Sequence, residues 1–224
     1  MWVRIPPAAP FASIPWPICQ ASPPDPNACV DERGLGADYA YLLGVYLGDG
    51  MLTRVHRGVW RLRISLDARY LGIIGSCKAA IEEVAVRTPG QFLRIGCYEI
   101  YSNWKHWICV FPQHGSGPKH QRRIKLEEWQ QRLVERHPAE LLTGLIHSDG
   151  CRAINRVRRP LKGRVGVYEY PRYFFSNRSA DIIEIFRSAC SLIGVETRLN
   201  NWFSVSVATR SSVEILESFI GPKR

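Results

Sequence analysis

Apolar residues recur with two different periods along the chain, and these periods predict alternating helices and strands. Residues 59–66 alternate, with apolar side chains at even positions and Arg61, Arg63 and Ser65 at odd positions, which predicts a half-buried strand with a basic outer face. After Asp67, the expected N-cap, apolar side chains recur at helical spacing as far as residue 84. The same criteria predict further strands at residues 92–102, 105–111, 151–158 and 164–175, and helices at 126–136 and 179–193.

One apolar segment occurs twice. The sequence LLGVYLGDG at residues 42–50 returns as LLTGLIHSDG at residues 141–150, so that Asp49 aligns with Asp149. Each copy predicts a short helix with two small residues one turn apart on one face, where two helix backbones can approach closely. The small residues are Gly44 and Gly48 in the first copy, and Gly144 and Ser148 in the second.

The two predicted helices end on acidic residues. Asp38 is expected to cap the start of the first helix, and Pro138 to occupy the first turn of the second. Gly50 and Gly150 are expected to end the helices in the left-handed cap conformation. A carboxylate in the last turn faces the negative end of the helix dipole, which disfavours it by roughly 0.3–1 kcal/mol. Packing the helices side by side would bring Asp49 and Asp149 together and double this penalty. A divalent cation between the two carboxylates would remove it.

The paired segments resemble the signature of the LAGLIDADG homing endonucleases, and the resemblance extends from about residue 38 to the C-terminus. In that family the motif helices form the interface between two pseudo-symmetric halves. Each helix contributes its final acidic residue to metal ions that drive hydrolysis of the two DNA strands. The resemblance implies that Asp49 and Asp149 are catalytic and, with Gly48 and Ser148, hold Mg²⁺ or Mn²⁺.

The resemblance also implies a basic residue near each scissile phosphate. The segment at residues 112–125 carries four Lys or Arg and no acid. We expect Lys119 to be the catalytic basic residue of this stretch, with Arg122 and Arg123 as alternatives. The second half has no matching Lys-rich stretch, and Arg210 is its nearest candidate.

The predicted elements follow the same order in both halves. The fold class is therefore expected to be α+β, with two pseudo-symmetric αββαββα halves packed through the motif helices and forming a saddle of antiparallel sheets. Residues 1–36 hold eight of the fifteen prolines and are predicted to be a disordered extension. Residues 37–125 form the first predicted half with its basic linker, and residues 126–224 form the second.

Composition narrows the class of partner. The 224 residues include 30 Lys and Arg against 20 Asp and Glu, a formal net charge of +10, which favours a polyanion such as DNA, RNA or an anionic membrane. No apolar run approaches the roughly 20 residues of a membrane span, so a cytoplasmic protein without membrane contact is expected. The seven cysteines contain no Cys-x-x-Cys pair, and Cys109 with its neighbouring histidines fits no standard zinc finger.

A saddle of this kind can straddle double-stranded DNA. Arginine can bond phosphates bidentately and read guanine edges, and aromatic side chains are interleaved with arginine along the predicted strands. The residues expected to face the duplex are Arg61, Arg63, Arg152, Arg156, Arg158, Arg164, Tyr168, Tyr170 and Arg172.

Three functions remain compatible with these features. The leading interpretation is a metal-dependent endonuclease that cuts both strands of a long, non-palindromic DNA site as a monomer. A non-cleaving DNA-binding regulator would use the same saddle, and so would an RNA-splicing maturase. Loss of one motif acid would favour the regulator, but both Asp49 and Asp149 are present.

Overall fold

The computed structural model describes residues 35–161, 164–220 and 223, and residues 1–34 of the predicted extension lie outside the described residues. The helices are α1 (Ala37–Asp49), α2 (Leu71–Ala85), α3 (Trp107–Val110), α4 (Glu128–Arg136), α5 (Pro138–Asp149), α6 (Ala180–Leu192) and α7 (Arg210–Glu217). The strands are β1 (Gly50–Arg54), β2 (Trp60–Asp67), β3 (Gly90–Arg94), β4 (Cys97–Trp104), β5 (Gly150–Leu161), β6 (Arg164–Ser176), β7 (Arg198–Asn201) and β8 (Ser204–Val207).

The two halves have the same topology. Strands β1–β4 form one antiparallel sheet in the order β1-β2-β4-β3, and strands β5–β8 form a second in the order β5-β6-β8-β7. Each half runs αββαββα, from α1 to α3 and from α5 to α7, and α4 joins them. The predicted fold class is therefore confirmed.

Each sheet buries one face against a helix. In the first half the even-numbered residues Leu62, Ile64 and Leu66 of β2 are buried, as the alternation predicts, together with the apolar stripe of α2. In the second half Phe175 of β6 stacks on Phe186 of α6, with ring centroids 4.4 Å apart. No helix in the described part of the chain is long and apolar enough to cross a membrane.

The motif helices α1 and α5 pack against each other at the centre of the molecule. A Cβ atom added to Gly44 would lie 2.7 Å from the amide nitrogen of Leu145, and one added to Gly144 would lie 2.9 Å from that of Val45. Real Cβ atoms essentially never come that close to a backbone atom. The predicted close crossing at these two glycines is confirmed, and it explains why α1 is buried along most of its length.

Two strand predictions are wrong. Residues 92–102 are a hairpin rather than one strand, because Gly96 takes a positive φ of 76° and reverses the chain between β3 and β4. Residues 105–111 contain the short helix α3 rather than a strand. Consecutive residues from Cys109 to Phe111 are buried there, whereas a half-buried strand would expose every second one.

The beginnings of the helices agree with the sequence in the second half only. Pro138 occupies the first turn of α5, and the Ser179 hydroxyl accepts a hydrogen bond from the amide of Ile182, so both are confirmed. Asp38 lies inside the first turn of α1, whose N-cap is Gly36. Asp67 does not cap α2, because its carboxylate accepts hydrogen bonds from the backbone and guanidinium of Arg69 instead.

The crossing predicts opposite effects of the same substitution at two glycines. Gly44→Ala should lower the free energy of unfolding by about 1–3 kcal/mol, because the methyl group meets backbone atoms that cannot move aside. Gly75→Ala in α2 is the matched control, since no atom lies within 4 Å of its added Cβ, and it should raise stability by about 0.5–1 kcal/mol. Urea unfolding measures both, and equal stabilisation by the two changes would refute the close crossing.

Candidate functional site

Asp49 and Asp149 are the last residues of α1 and α5 and lie next to each other where the helices end. A Cβ atom added to Gly48 would lie 2.9 Å from Oδ2 of Asp149, which places the second carboxylate against the first helix. Nδ2 of Asn177 donates a hydrogen bond of 2.6 Å to that same oxygen and fixes its orientation.

The glycines that follow the acids are required for a different reason from the one predicted. Gly50 and Gly150 have extended backbones, with φ values of −87° and −105°, so the predicted left-handed caps are wrong. A Cβ atom at Gly50 would lie 2.6 Å from the Cα of Tyr46, and one at Gly150 would lie 2.7 Å from the Cα of Ile146. The chain passes directly from helix into strand against its own last turn, and only glycine leaves room for this.

Burial and mutual repulsion disfavour the ionised carboxylates. Burial is the larger cause and the charge of Asp149 the second, and together they raise the pKa of Asp49 to about 7. Burial also raises the pKa of Asp149, although the hydrogen bond from Asn177 opposes this. Two partly buried like charges at adjacent helix ends form an electrostatic arrangement that a cation would stabilise.

Lys119 reaches the same helix ends. Its Nζ donates hydrogen bonds to the carbonyl oxygens of Tyr46 and Gly48, the latter at 3.2 Å, and lies 4.9 Å from the centre of the Tyr46 ring. Burial lowers the pKa of Lys119 to about 8, although both motif aspartates oppose the shift. Of the three basic candidates in the linker, Lys119 is the one whose charge acts on both acids.

The other linker candidates have different partners, although Arg122 lines the same cavity as Lys119. The Arg122 guanidinium donates to the carbonyl of Gln113. The Arg123 side chain is 91% exposed and pairs with Asp181 at 3.1 Å. Neither therefore takes the position that Lys119 holds.

Lys223 is the basic residue of the second half that sequence reasoning missed. Its Nζ donates a hydrogen bond of 3.1 Å to the carbonyl of His147 in the last turn of α5, as Lys119 does in the last turn of α1. Its positive charge partly offsets the rise that burial causes in the pKa of both motif aspartates. Arg210, named from the sequence, is instead 93% exposed and bonded to Glu214 at 2.8 Å. The tripeptide Gly-Pro-Lys occurs at residues 117–119 and again at 221–223, and this repeat was the available signal.

A cavity lies on each side of the two helix ends. The larger, of about 700 Å³, is lined by Asp149, Asn177 and Lys119, among others. The smaller, of about 280 Å³, is lined by Asp49, Asp67 and Lys223, among others. Each cavity thus combines a motif acid of one half with the lysine of the other half, so the two cavities are related by the pseudo-symmetry of the fold.

The donor set at the helix ends fits a hard divalent cation. Mg²⁺ and Mn²⁺ take oxygen ligands, and Mg²⁺ is held by one or two carboxylates together with oxygens of a substrate. Asp49 and Asp149 supply the carboxylates, whereas the hydroxyl of Ser148 bonds to carbonyls of its own helix at 3.0 and 3.1 Å. Within the described residues no group of three or more His, Cys, Asp or Glu is gathered.

In the first sheet, Arg61 and Arg63 lie on the face turned away from the helices. Arg61 donates a hydrogen bond of 2.8 Å to Asn103 and stacks over the ring of Tyr101, 5.1 Å away. Arg63 makes two hydrogen bonds to Glu99, of 2.8 and 2.7 Å. Both guanidinium groups are held in fixed orientations on the strand face predicted for them.

In the second sheet the predicted set is divided between two faces. The register pairs Arg152 with the buried Tyr173, and it places Arg156 and Arg158 on that same face. The residues of opposite parity, on the face turned away from the helices, are Tyr168, Tyr170, Arg172 and the backbone position of Arg164. Arg152, Arg156 and Arg158 thus lie on the opposite face of the second sheet from Tyr168, Tyr170 and Arg172, and contact of all nine residues with DNA stays a prediction. Arg152 pairs with Glu217 of α7, and Arg156 with Glu169.

Two four-stranded antiparallel sheets joined through a pair of glycine-crossed helices define the LAGLIDADG fold, and comparison with solved structures confirms it. The chain is similar to the LAGLIDADG meganuclease I-AabMI bound to uncleaved DNA, with a TM-score of 0.53, 12% identity and coverage of 81% of this chain and 82% of that one. It is similar to I-DmoI in complex with DNA and Ca, with a TM-score of 0.53, 18% identity and coverage of 82% and 88%.

A third similar structure is the homing endonuclease I-WcaI bound to its DNA recognition sequence, with a TM-score of 0.53, 12% identity and coverage of 84% and 81%. Neither protein-family models nor curated protein sequences match the chain. At these identities the likeness establishes the fold of the chain.

The raised pKa of Asp49 predicts a pH-dependent gain in stability for Asp49→Asn without metal. A carboxyl group has a pKa near 3.9 when unfolded, so a folded value of about 7 gives stability that is present below pH 4 and lost as the pH rises through 7. In EDTA, Asp49→Asn should therefore raise the free energy of unfolding on the order of 1–3 kcal/mol at pH 8.5 and hardly at all at pH 4.5.

Asp38→Asn is the matched control for this experiment, because Asp38 is exposed in the first turn of the same helix, at the opposite end. This substitution should leave the free energy of unfolding unchanged or slightly lower at both pH values, since a carboxylate in the first turn interacts favourably with the positive end of the helix dipole. Urea unfolding at the two pH values measures both variants. A gain for Asp49→Asn that is the same at both pH values would contradict burial of an ionised pair.

Proposed function

We propose that the protein is a metal-dependent endonuclease that hydrolyses both strands of double-stranded DNA at a specific site. The observation that carries the proposal is the group of four side chains at the ends of α1 and α5: two partly buried carboxylates with raised pKa values and, on either side, a lysine bonded to the last turn of a motif helix. A regulator that only binds DNA has no need of this arrangement, because the buried acids would repel the phosphates.

The metal would be held by Asp49 and Asp149, with the predicted participation of Gly48 and Ser148 limited to their backbone, since the Ser148 hydroxyl is engaged in its helix. When bound, Mg²⁺ or Mn²⁺ supplies an activated water and neutralises charge on the phosphate oxygens. I-DmoI has been solved in complex with DNA and Mn and with DNA and Ca, which supports a divalent ion here.

The protein's own groups orient the reacting phosphate. Lys119 and Lys223 each present an ammonium group beside one cavity, where it can donate to a phosphate oxygen and stabilise the added charge of the transition state. Asn177 holds the Asp149 carboxylate in one orientation. The backbone carbonyls that accept from the two lysines keep these long side chains in place before DNA arrives.

Binding of the duplex rests on the strand faces turned away from the helices. Arg61 and Arg63 on β2, with Tyr168, Tyr170 and Arg172 on β6, form two polar surfaces that flank the helix ends. The net charge of +10 favours the phosphate backbone. Both motif helices belong to one chain, so the protein acts as a monomer. No described cysteine is in a disulfide, which agrees with a cytoplasmic setting.

The proposed function is tested by replacing the metal ligands. Asp49→Asn and Asp149→Asn each keep the shape of the side chain but remove its charge, so cleavage of a selected DNA target in Mg²⁺ or Mn²⁺ should fall by at least 100-fold while binding is retained. Asp38→Asn serves as the control and should cut normally. Tight binding by the wild type without any cutting in either metal would sink the endonuclease proposal in favour of a regulator.

The division of lysines between the two cavities predicts strand-specific nicking. Lys119→Met should abolish cutting of one strand and Lys223→Met cutting of the other, because each removes the ammonium group from a different cavity. Denaturing gels of a duplex labelled on each strand separately measure the two rates. Arg210→Met is the control and should cut both strands normally, since its side chain faces solvent. If Lys119→Met and Lys223→Met slow both strands equally, the assignment of one lysine to each cavity is wrong.

A further inference from the structure

Two glutamine side chains pair with each other in the interior of the protein. Gln113, near the beginning of the linker, is 4% exposed, and Gln130, in the first turn of α4, is fully buried. Each amide donates to the other: Nε2 of Gln113 lies 2.5 Å from Oε1 of Gln130, and Nε2 of Gln130 lies 3.2 Å from Oε1 of Gln113. Glutamine is mostly exposed in folded proteins, so a buried pair of this kind calls for an explanation.

The other amide hydrogens of the pair bind groups on three further segments. Nε2 of Gln113 also donates to the carbonyl of Lys125 at 2.8 Å, and Nε2 of Gln130 also donates to the Tyr39 hydroxyl at 2.7 Å. That hydroxyl in turn donates to the carbonyl of Val110 at 2.5 Å. Buried amides whose hydrogens are all bonded hold one arrangement of the segments around them. Gln113, Gln130 and Tyr39 are called the glutamine network below.

The glutamine network closes the linker on itself. The bond from Gln113 to the carbonyl of Lys125 joins the first residues of the linker to its last. Just before that end, the amide of Ile124 donates to the Asp181 carboxylate of α6 at 2.7 Å. Both ends of the linker are therefore fixed, and Lys119 lies between them.

The glutamine network and Lys119 contact opposite ends of the same motif helix. Tyr39 is in the first turn of α1, whereas Lys119 donates to the carbonyls of Tyr46 and Gly48 in its last turn. The helix rises about 14 Å between Tyr39 and Gly48. The linker is thus anchored beside the beginning of α1 and carries its lysine to the end where Asp49 lies.

We propose that Gln113 and Gln130 are positioning residues for Lys119, and that the glutamine network holds its ammonium group at one cavity before DNA binds. The inference rests on the proposed function and adds two residues to its machinery. Lysine has a flexible four-carbon side chain, so its ammonium group stays in place only if the backbone that carries it is fixed as well. A group misplaced by about 1 Å can slow a reaction on the order of 100-fold.

The glutamine network acts on one of the two cavities. Its members and their partners lie in α1, α3, α4 and the linker, and Lys119 lines the larger cavity. Lys223 lines the smaller cavity and is bonded to α5 instead. Loss of the network should therefore displace Lys119 and leave Lys223 in place.

Gln113→Met tests the proposal on the two DNA strands separately. The substitution keeps the length of the side chain but removes both amide hydrogens, including the one that closes the linker. Cutting of the strand that depends on Lys119 should fall about tenfold or more, and cutting of the strand that depends on Lys223 should stay within about twofold of the wild-type rate. Denaturing gels of a duplex labelled on each strand measure the two rates with protein in excess. Their ratio is independent of the folded fraction, because unfolded chains cut neither strand.

Two further variants frame this result. Tyr39→Phe is the milder change should Gln113→Met fail to fold: it removes one hydroxyl from the glutamine network but keeps the ring against Phe111 and Trp129. It should slow the same strand about threefold. Gln131→Met is the matched control, because it removes an amide whose bond of 2.9 Å goes to the carbonyl of Leu126, outside the network. It should leave both rates unchanged.

Hydrogen exchange without DNA tests the closure of the linker independently of cutting. Backbone amides of residues 114–124 should exchange faster in both network variants, by about tenfold in Gln113→Met, while β2 and α2 exchange as in the wild type. Unchanged exchange in the linker would overturn the inference, and so would network variants that slow both strands equally or neither. The proposed function would stand in each of these cases. A wild type that cuts no duplex would instead remove the proposed function, and the inference with it.

Discussion

The close approach of two helix backbones at Gly44 and Gly144 is the constraint on which the rest of the structure depends. Neither position has room for a Cβ atom, so α1 and α5 can pack at this distance only because both are glycine. The same packing brings Asp49 and Asp149 together one turn further along, where burial and repulsion raise the pKa of both carboxylates. The fold thereby holds at its centre a pair of partly buried carboxylates that destabilises the protein when no cation is bound. Such a pair is typical of a functional site and not of a site that stabilises the fold.

The two pseudo-symmetric halves carry the same charged groups but differ in the sizes of their cavities and strands. Lys119 and Lys223 bond to the last turns of α1 and α5 and lie beside different cavities, of about 700 and 280 Å³. The strands that leave the helices have 5 residues in one half and 12 in the other. The centre of the molecule is thus nearly two-fold, whereas its periphery is unequal.

The sequence predicted the centre of this molecule better than its periphery. The repeated motif placed Asp49 and Asp149 at paired helix ends, because a repeat of nearly ten residues carries both position and pairing. Lys119 was one of three linker candidates, with Arg122 and Arg123, that the family resemblance suggested. Strand alternation gave the faces of β2 correctly, but it could not fix the phase of β5 against β6. Arg152, Arg156 and Arg158 alternate as regularly as Tyr168 and Arg172, and only the register places them on opposite faces. Lys223 was missed because the Gly-Pro-Lys repeat has three residues, too few to stand out before the fold aligns the two halves.

Asp49 and Asp149 are proposed to hold a divalent cation together at the helix ends when DNA is bound. Anomalous scattering from Mn²⁺ in crystals of the complex with a selected duplex tests this most directly. The account predicts manganese peaks within about 2.0–2.3 Å of carboxylate oxygens of both residues and of oxygens of the scissile phosphates, and loss of these peaks in Asp49→Asn. Peaks that avoid the two carboxylates, or a complex in which Lys119 and Lys223 neutralise them without any metal, would contradict it.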